Sequence, residues 1–350
     1  MKVLITGSTG FLGKKVLDLL VDDARVTRIF ATTRQVLSHP SAKVQVCRMD
    51  LSDPTVVPVL SPIVEQVDAV IHLAGLYRFT SGYSLNYQNN VLPATHLISA
   101  FQDCLDRHSE LTPEKLPPLI FASSFAVGLG MEGALEEKAL SELPPKHFAY
   151  SHTKGIAERV FSDSPFRTWV FRLGSLTGSM EHGLIEKVDG PYILLNFLRE
   201  ISKLPGSGLI RRFPVLGNPV GTVPLFPVDV AAHIFHQAVF HPELKKEMKV
   251  HLGAVQKHGV KIRDFSEEAV KHYFPKAKPI FVKKIPKVLK KIEEKVLRGN
   301  GEVFEFALNP VQCRSERFRE LFPEIRVPEF REYQEGFFGG FDQYQGEVRS

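Results

Sequence analysis

Tyr150 and Lys154 stand four residues apart at the start of a stretch with helical character. On a helix, residues i and i+4 share a face, so the phenol and the ammonium are neighbours. A phenol is a poor acid or base near neutrality. A cation beside it in a partly desolvated site lowers its pKa and makes it a useful proton donor. Ser124, the second member of the Ser123-Ser124 pair that ends a predicted strand, can donate to the same oxygen. The three together suit protonation of an alkoxide formed as hydride reaches a carbonyl carbon, with the interaction realised in the charged transition state. Singly, Tyr-x-x-x-Lys is more often a helix-surface contact and Ser-Ser a turn element. Their combination, in this order after an N-terminal glycine turn, points to catalysis.

That turn opens the chain. Val3, Leu4 and Ile5 form an apolar run suited to a fully buried parallel strand, Gly7, Gly10 and Gly13 follow at three-residue spacing, and Val16, Leu17, Leu19 and Leu20 then recur at helical spacing. Glycines at a strand-to-helix turn let the backbone approach a pyrophosphate, and the first helical amides hold its charge. A second predicted strand, 26–33, leads to Thr32, Thr33 and Arg34. An acid there would bind the adenosine 2′-hydroxyl of NAD, whereas a guanidinium pairs with a 2′-phosphate, so NADP(H) is favoured over NAD(H). Asp50, after a third strand at 44–49, is either an acceptor for the adenine amino group or an ordinary turn residue. Ala74 and Gly75, after a fourth strand at 68–73, let the backbone pass close to a ligand.

These residues need a scaffold. A helix over 87–100 is expected to open at Asn90, the polar, proline-containing 103–118 reads as a surface loop, and strands are expected at 119–122, 166–173 and 249–254, with a helix over 228–239. Strands alternating with helices predict an α/β fold, a Rossmann-type doubly wound parallel sheet. Between Pro191 and Pro227 the chain turns proline-, glycine- and aromatic-rich around one helix at 194–203, an insertion that shapes a pocket. From Gln256 it reads as basic and irregular. The expected division is 1–175 with 220–255 as the NADP-binding domain, and 176–219 with 256–350 as a smaller substrate-binding lobe.

Composition narrows the classes. The chain has 350 residues, 43% of them apolar, and no run approaches the ~20 apolar residues of a membrane span. Met1-Lys2 leads straight into the first strand, so a cytoplasmic protein is expected. Cys47, Cys104 and Cys313 are far apart and match no metal-ligand spacing, and His72, His96, His147 and His152 form no metal pattern, so no metal is expected. A net charge of +5 suits a phosphorylated ligand or an acidic partner and does not indicate nucleic acid. Lysines crowd 276–298, where Ile285, Val288, Leu289, Ile292 and Val296 predict a basic amphipathic helix over 283–298. Its plain reading is a solvated face. Its sharper one is a surface for coenzyme A phosphates, an acidic carrier protein or peripheral contact with an anionic membrane.

The chain resembles the extended short-chain dehydrogenase/reductases in Thr6 to Gly13, Asp50-Leu51, His72 to Gly75, Asn90-Val91, Ser123-Ser124 with Val127-Gly128, Tyr150 to Lys154, Arg172 to Gly174, and Pro227 to Val230. The resemblance covers roughly the first 255 residues. It implies Ser124, Tyr150 and Lys154 as the catalytic set, with Asn90 supporting the lysine through water. Around the cofactor it implies Gly7, Thr9, Gly10, Phe11, Leu12 and Gly13 at the turn, and Thr33, Arg34, Asp50 and Leu51 near the adenosine. Leu73, Ala74, Gly75, Ser123, Leu173, Gly174 and Ser175 would complete the set. Ile71 to Tyr77 with Tyr87 to Thr95, and Arg172 to Tyr192, look like the thioester-reductase and fatty-acyl-CoA-reductase branch, which implies NADPH-driven reduction of an acyl thioester or aldehyde. Expected partners are then a small-molecule substrate, acyl-CoA or an acyl carrier protein, with a homodimer left open. Two rivals stand: a nucleotide-sugar epimerase or dehydratase, or an alcohol dehydrogenase, of the same superfamily, and a non-catalytic NADP-binding regulator. Val127 to Gly130 lacks the tyrosine that many sugar-nucleotide members carry after the serine pair, which weighs against the first.

Overall fold

A computed structural model describes residues 1–35, 38–79, 81–255, 259–284 and 301–347. β1 (Lys2–Thr6) turns into α1 (Phe11–Asp22), followed by β2 (Arg28–Thr33), β3 (Val44–Arg48), α2 (Val57–Val64) and β4 (Ala69–His72). Next come α3 (Tyr83–Asn86), continuing through a π-helical turn (Tyr87–Val91) into α4 (Leu92–Arg107), then β5 (Leu119–Ser124), α5 (Ala149–Asp163) and β6 (Thr168–Leu173). β7 (Ser175–Thr177), α6 (Tyr192–Ser202), β8 (Arg212–Leu216), β9 (Thr222–Val223) and β10 (Leu225–Pro227) precede α7 (Val228–Phe240) and β11 (Lys249–Ala254). The chain ends with β12 (Val260–Lys261), α8 (Ile262–Tyr273), β13 (Lys278–Val282), α9 (Gly301–Leu308), α10 (Glu316–Leu321) and α11 (Gln334–Glu347).

Among the described residues, seven strands form one parallel sheet in the order β3-β2-β1-β4-β5-β6-β11. This is the doubly wound α/β architecture that the alternation of elements predicts. Period-two alternation divides β1 between two cores. Val3 and Ile5 pack with Val16, Leu20, Ile234 and Phe235 on one face, and Leu4 with Leu60, Leu97 and Phe161 on the other. Burying one such side chain contributes roughly 1.5–3 kcal/mol, and a strand covered on both faces needs the continuous apolar run that β1 has. The strand order reverses between β1 and β4, so a crevice opens beyond their carboxyl ends, where open α/β sheets bind ligands.

Three local expectations change. Helix α4 runs on to Arg107, where a loop from Asp103 is expected: Cys104 is buried with its Sγ 3.1 Å from the Ala100 oxygen, and Arg107 pairs with Asp103 one turn back, while the prolines come only later. Asn90 does not open a helix but sits in the π-helical turn of one that begins at Tyr83. Among the described residues, the tail holds regular elements. Phe265, Ala269 and Val270 give α8 a buried stripe, and β13 pairs with β8, more than sixty residues earlier in the chain. Lysines and prolines mask those signals in the sequence.

A third apolar cluster joins α6, β8, α8 and α11 through Leu195, Phe197, Phe213, Phe265 and Phe337. Phe318 and Phe322, from the stretch expected in the smaller lobe, instead pack against the sheet residues Trp169 and Phe171. The basic helix expected over 283–298 falls almost wholly outside the described residues; Lys283 and Lys284 are described and exposed. Among the described residues no helix is long and apolar enough to cross a membrane, and no group of His, Cys, Asp and Glu could hold a metal ion.

Candidate active site

The glycine turn is built to admit a ligand against the backbone. Gly7 has φ +72°, and a Cβ there would lie 2.6 Å from the Ala74 nitrogen; one on Gly13 would lie 2.0 Å from the Gly7 oxygen. Helix α1 starts at Gly10 with no side-chain cap and no acid in its first turn. Its first amides and positive dipole end are therefore open to an anion. The close backbone cradle and the uncapped amides fit a dinucleotide pyrophosphate.

Beyond the turn, a cavity of 180 Å³ takes the place of an adenosine site. Thr9, Thr33, Arg34, Asp50, Leu51 and Ala74 line it together with Gly7 and Gly10. Arg34 is exposed and donates from Nη1 to Asn89 Oδ1 at 3.2 Å. One oxygen of Asp50 accepts from the Ser52 amide at 3.0 Å and the Ser52 hydroxyl at 2.9 Å, so this carboxylate also shapes its own turn.

The second cavity, of 380 Å³, gathers the residues that the sequence singles out for chemistry. Phe11, Leu12, Gly13, Leu73, Leu173 and Gly174 form its nucleotide side, and Gly75 borders both cavities. Asn90, Ser123, Ser124, Tyr150 and Lys154 face it. Lys154 is buried on α5, donates from Nζ to the Ala122 oxygen at 2.7 Å, and lies 4.4 Å from the Phe121 ring centre. Burial lowers its pKa to about 8, with Glu158 one turn on acting in the opposite sense. Ser124 accepts from the Ala126 amide at 3.2 Å, which leaves its own proton to donate. Tyr150 is buried beside them, edge-on to Tyr77 and Phe79 with ring centres at 5.3 and 4.8 Å.

A family model for the NAD dependent epimerase/dehydratase family matches residues 3–183. The chain belongs to that family. It is accordingly an NAD(P)-dependent oxidoreductase-type enzyme with the extended short-chain dehydrogenase/reductase fold. Among curated proteins it is similar to the polyketide synthase-nonribosomal peptide synthetase phmA of Phaeosphaeria nodorum, 30% identical over 221 residues, which are 59% of this chain and 5% of that protein. It is also similar to the hybrid PKS-NRPS synthetase pydA of Acremonium sp, 28% identical over 252 residues, 66% of this chain and 5% of that one. The chain thus spans about a twentieth of the length of these relatives. Among solved structures, the terminal R domain of the myxalamid PKS-NRPS pathway superposes with TM-score 0.72 at 16% identity, covering 98% of this chain and 90% of that one. A thiolation-reductase di-domain of an archaeal non-ribosomal peptide synthetase gives 0.69 at 14% identity, covering 98% and 75%. The UDP-glucuronic acid 4-epimerase of Bacillus cereus gives 0.67 at 15% identity, covering 98% and 100%.

Within this family member, three of the expected site residues have surroundings that their spacing does not name. The Ser123 hydroxyl donates to Glu158 Oε2 at 2.7 Å, part of a buried ion pair with Arg172, so it is committed to the core although Ser123 borders the cavity. Asn90 accepts from the Leu76 amide at 2.7 Å through Oδ1 and donates to Thr153 Oγ1 at 3.2 Å. Both ends of the amide thus clamp the segment after β4 onto α5. Gly75 makes room for it, since a Cβ there would stand 3.1 Å from Asn90 Oδ1. Ser175 lines neither nucleotide cavity but a third, apolar one. The histidines serve structure: burial lowers the pKa of His72 to about 3, its Nδ1 lies 2.8 Å from Thr6 Oγ1, and His96 and His152 hydrogen-bond to backbone oxygens.

The sequence reading missed part of the lining. Ile185, Glu186, Lys187, Asp189, Tyr192 and Tyr77 also line the 380 Å³ cavity. Glu186 pairs with Lys14 of α1 at 2.7 Å, and Lys187 pairs with Asp189 at 3.0 Å and donates to the Tyr77 backbone oxygen. The apolar cavity, of 130 Å³, lies next door, walled by Phe125, Ile193, Phe197, Pro214, Phe265 and Phe306. Phe79 borders it and touches Tyr150. Aromatic and proline density between 191 and 227 signalled a pocket; no local pattern signalled that α8 and α9 complete it.

Proposed function

We propose that this enzyme is an NADP(H)-dependent reductase of an acyl thioester or aldehyde whose chain is long or otherwise apolar. The observation that carries this reading is the apolar cavity adjoining Tyr150 through Phe79. Its wall offers Phe, Ile, Leu, Val and Pro with few polar groups, the lining an acyl chain requires and a sugar does not. The names of the synthetase and thiolation-reductase relatives agree with a substrate held as a thioester on an acyl carrier or coenzyme A.

Amides of Phe11, Leu12 and Gly13 would hold the pyrophosphate, Arg34 a 2′-phosphate, and Lys154 the nicotinamide ribose. Bound NADPH supplies hydride to the carbonyl carbon. Tyr150 delivers a proton to the carbonyl oxygen as charge develops there, the Lys154 ammonium favours the phenolate left behind, and Ser124 donates a hydrogen bond to the same oxygen. With a thioester the product of this step is a hemithioacetal, whose C–S bond then breaks to give aldehyde and thiol. Following NADPH absorbance with acyl-CoAs, fatty aldehydes and nucleotide sugars tests the reading. Turnover of the first two classes is expected, with a loss of about 10²–10⁴-fold in Tyr150→Phe. Turnover of nucleotide sugars alone would overturn it, and equal inactivity of wild type and variant on all classes would favour a binding protein.

A further inference from the structure

Tyr77 stands between the two cavities. Its partly buried ring lines the catalytic cavity, edge-on to Tyr150, while its hydroxyl reaches Ser175 and Gly190, which line the apolar cavity. The fit at that end is tight: a Cβ on Gly190 would lie 3.0 Å from the phenol oxygen. On its flank Tyr77 meets Phe79 at 5.3 Å between ring centres, and Phe79 borders the apolar cavity. Lys187 holds the ring from the other side, with Nζ 4.5 Å from its centre and bonded to the Tyr77 backbone oxygen. Burial and the nearby Asp189 push the phenol pKa well above its usual value, so Tyr77 is a neutral wall and not a second acid. Both segments involved, 73–79 and 184–191, lie outside the seven paired strands. The ring can therefore be removed or moved without unpairing the sheet.

We propose that Tyr77 is the specificity-determining partition of this enzyme: it separates the apolar cavity from the carbonyl position beside Tyr150 and rejects acyl groups branched next to the carbonyl. This rests on the reductase reading above. An unbranched chain passes along the edge of the ring to place its carbonyl at Tyr150. A methyl group on the adjacent carbon meets the phenol ring held between Lys187 and Gly190.

Steady-state rates with unbranched and 2-methyl-branched acyl-pantetheine thioesters test this, with Tyr77→Ala, Tyr77→Leu and Tyr77→Phe compared. The expected result is at least a tenfold rise in the branched-to-unbranched ratio of kcat/KM in Tyr77→Ala and Tyr77→Leu, little change in Tyr77→Phe, and NADPH affinity within twofold of wild type. A ratio within twofold of wild type in folded, active Tyr77→Ala or Tyr77→Leu overturns the partition. A second arm needs no turnover: calorimetric titration of unbranched and 2-methyl-branched saturated fatty acids of equal length. In wild type the branched acid should bind at least tenfold more weakly, a gap that Tyr77→Ala narrows; an unchanged gap overturns the partition even where reduction occurs. Wild-type protein that reduces no thioester or aldehyde would refute the reductase reading separately, leaving the titration to decide on Tyr77.

Discussion

In the nucleotide-binding half, seven strands pair only with parallel neighbours, and the turn after β1 is fixed by backbone: Gly7 against Ala74 and Gly13 against Gly7. In the smaller lobe the strands come as two-residue to five-residue pairs, β8 with β13 and β9 with β12, each joining segments far apart in the chain, and the space between them is set by aromatic side chains. On the proposed reading, one half would hold its ligand with amides that any sequence could supply once the turn is made, and the other would select by the volume and shape of particular side chains. Cofactor binding and substrate selection would then rest on different physical supports, and the two should fail separately.

The largest effect should come from the buried ion pair that ties α5 to β6. Glu158 and Arg172 are 0% and 1% exposed; Arg172 Nε lies 3.2 Å from both carboxylate oxygens, and Ser123 completes the network. Glu158→Ala leaves a buried guanidinium without its counter-charge, so a loss of about 3–5 kcal/mol in chemical denaturation is expected. Replacing both partners by apolar residues of similar volume, Glu158→Leu with Arg172→Met, should recover most of it. A loss under about 1 kcal/mol in the single variant would show that apolar contacts alone hold α5 to β6, and the contrast between the halves would weaken.

Next is the lobe itself. Phe197 is buried on α6 and borders the apolar cavity, so Phe197→Ala should cost about 3 kcal/mol, near the low end for such truncations. The sharper readout is kinetic: KM for long-chain acyl donors should rise roughly tenfold, the equivalent of about 1.4 kcal/mol, while the NADPH dissociation constant stays put. A parallel rise in both would show that the two halves act as one unit.

The same contrast explains which parts could be read without coordinates. Strands buried on both faces advertise themselves as apolar runs, and Gly7, Gly10 and Gly13 or Tyr150 and Lys154 stand at short, fixed spacings, so the parallel α/β class and these candidate residues could be read from local signals. Tyr77, Asp189 and Phe306 are far apart in the chain, and only the folded lobe brings them to the site. Ser123 is singled out by its place at a strand's carboxyl end and Asn90 by the family resemblance, but what their side chains bond to depends on Glu158, Leu76 and Thr153, which no spacing rule names.

The smallest effect expected here concerns the edge of the nucleotide half, where recognition shifts from backbone to a single charged side chain. Arg34 is exposed at the cavity assigned to adenosine and donates to Asn89 at 3.2 Å. An exposed guanidinium meeting a phosphate works in high dielectric and is screened by salt, so its share is modest. Arg34→Ala should weaken NADPH about tenfold at low ionic strength, with NADH binding unchanged, and the gap should narrow at 0.5 M salt. Fluorescence titration of both nucleotides decides it. Equal losses for NADPH and NADH would mean that Arg34 shapes the cavity and does not read the 2′-phosphate. Tighter binding of NADH than NADPH by the wild type would assign the enzyme to NAD, leaving the glycine turn intact as the part that does not discriminate.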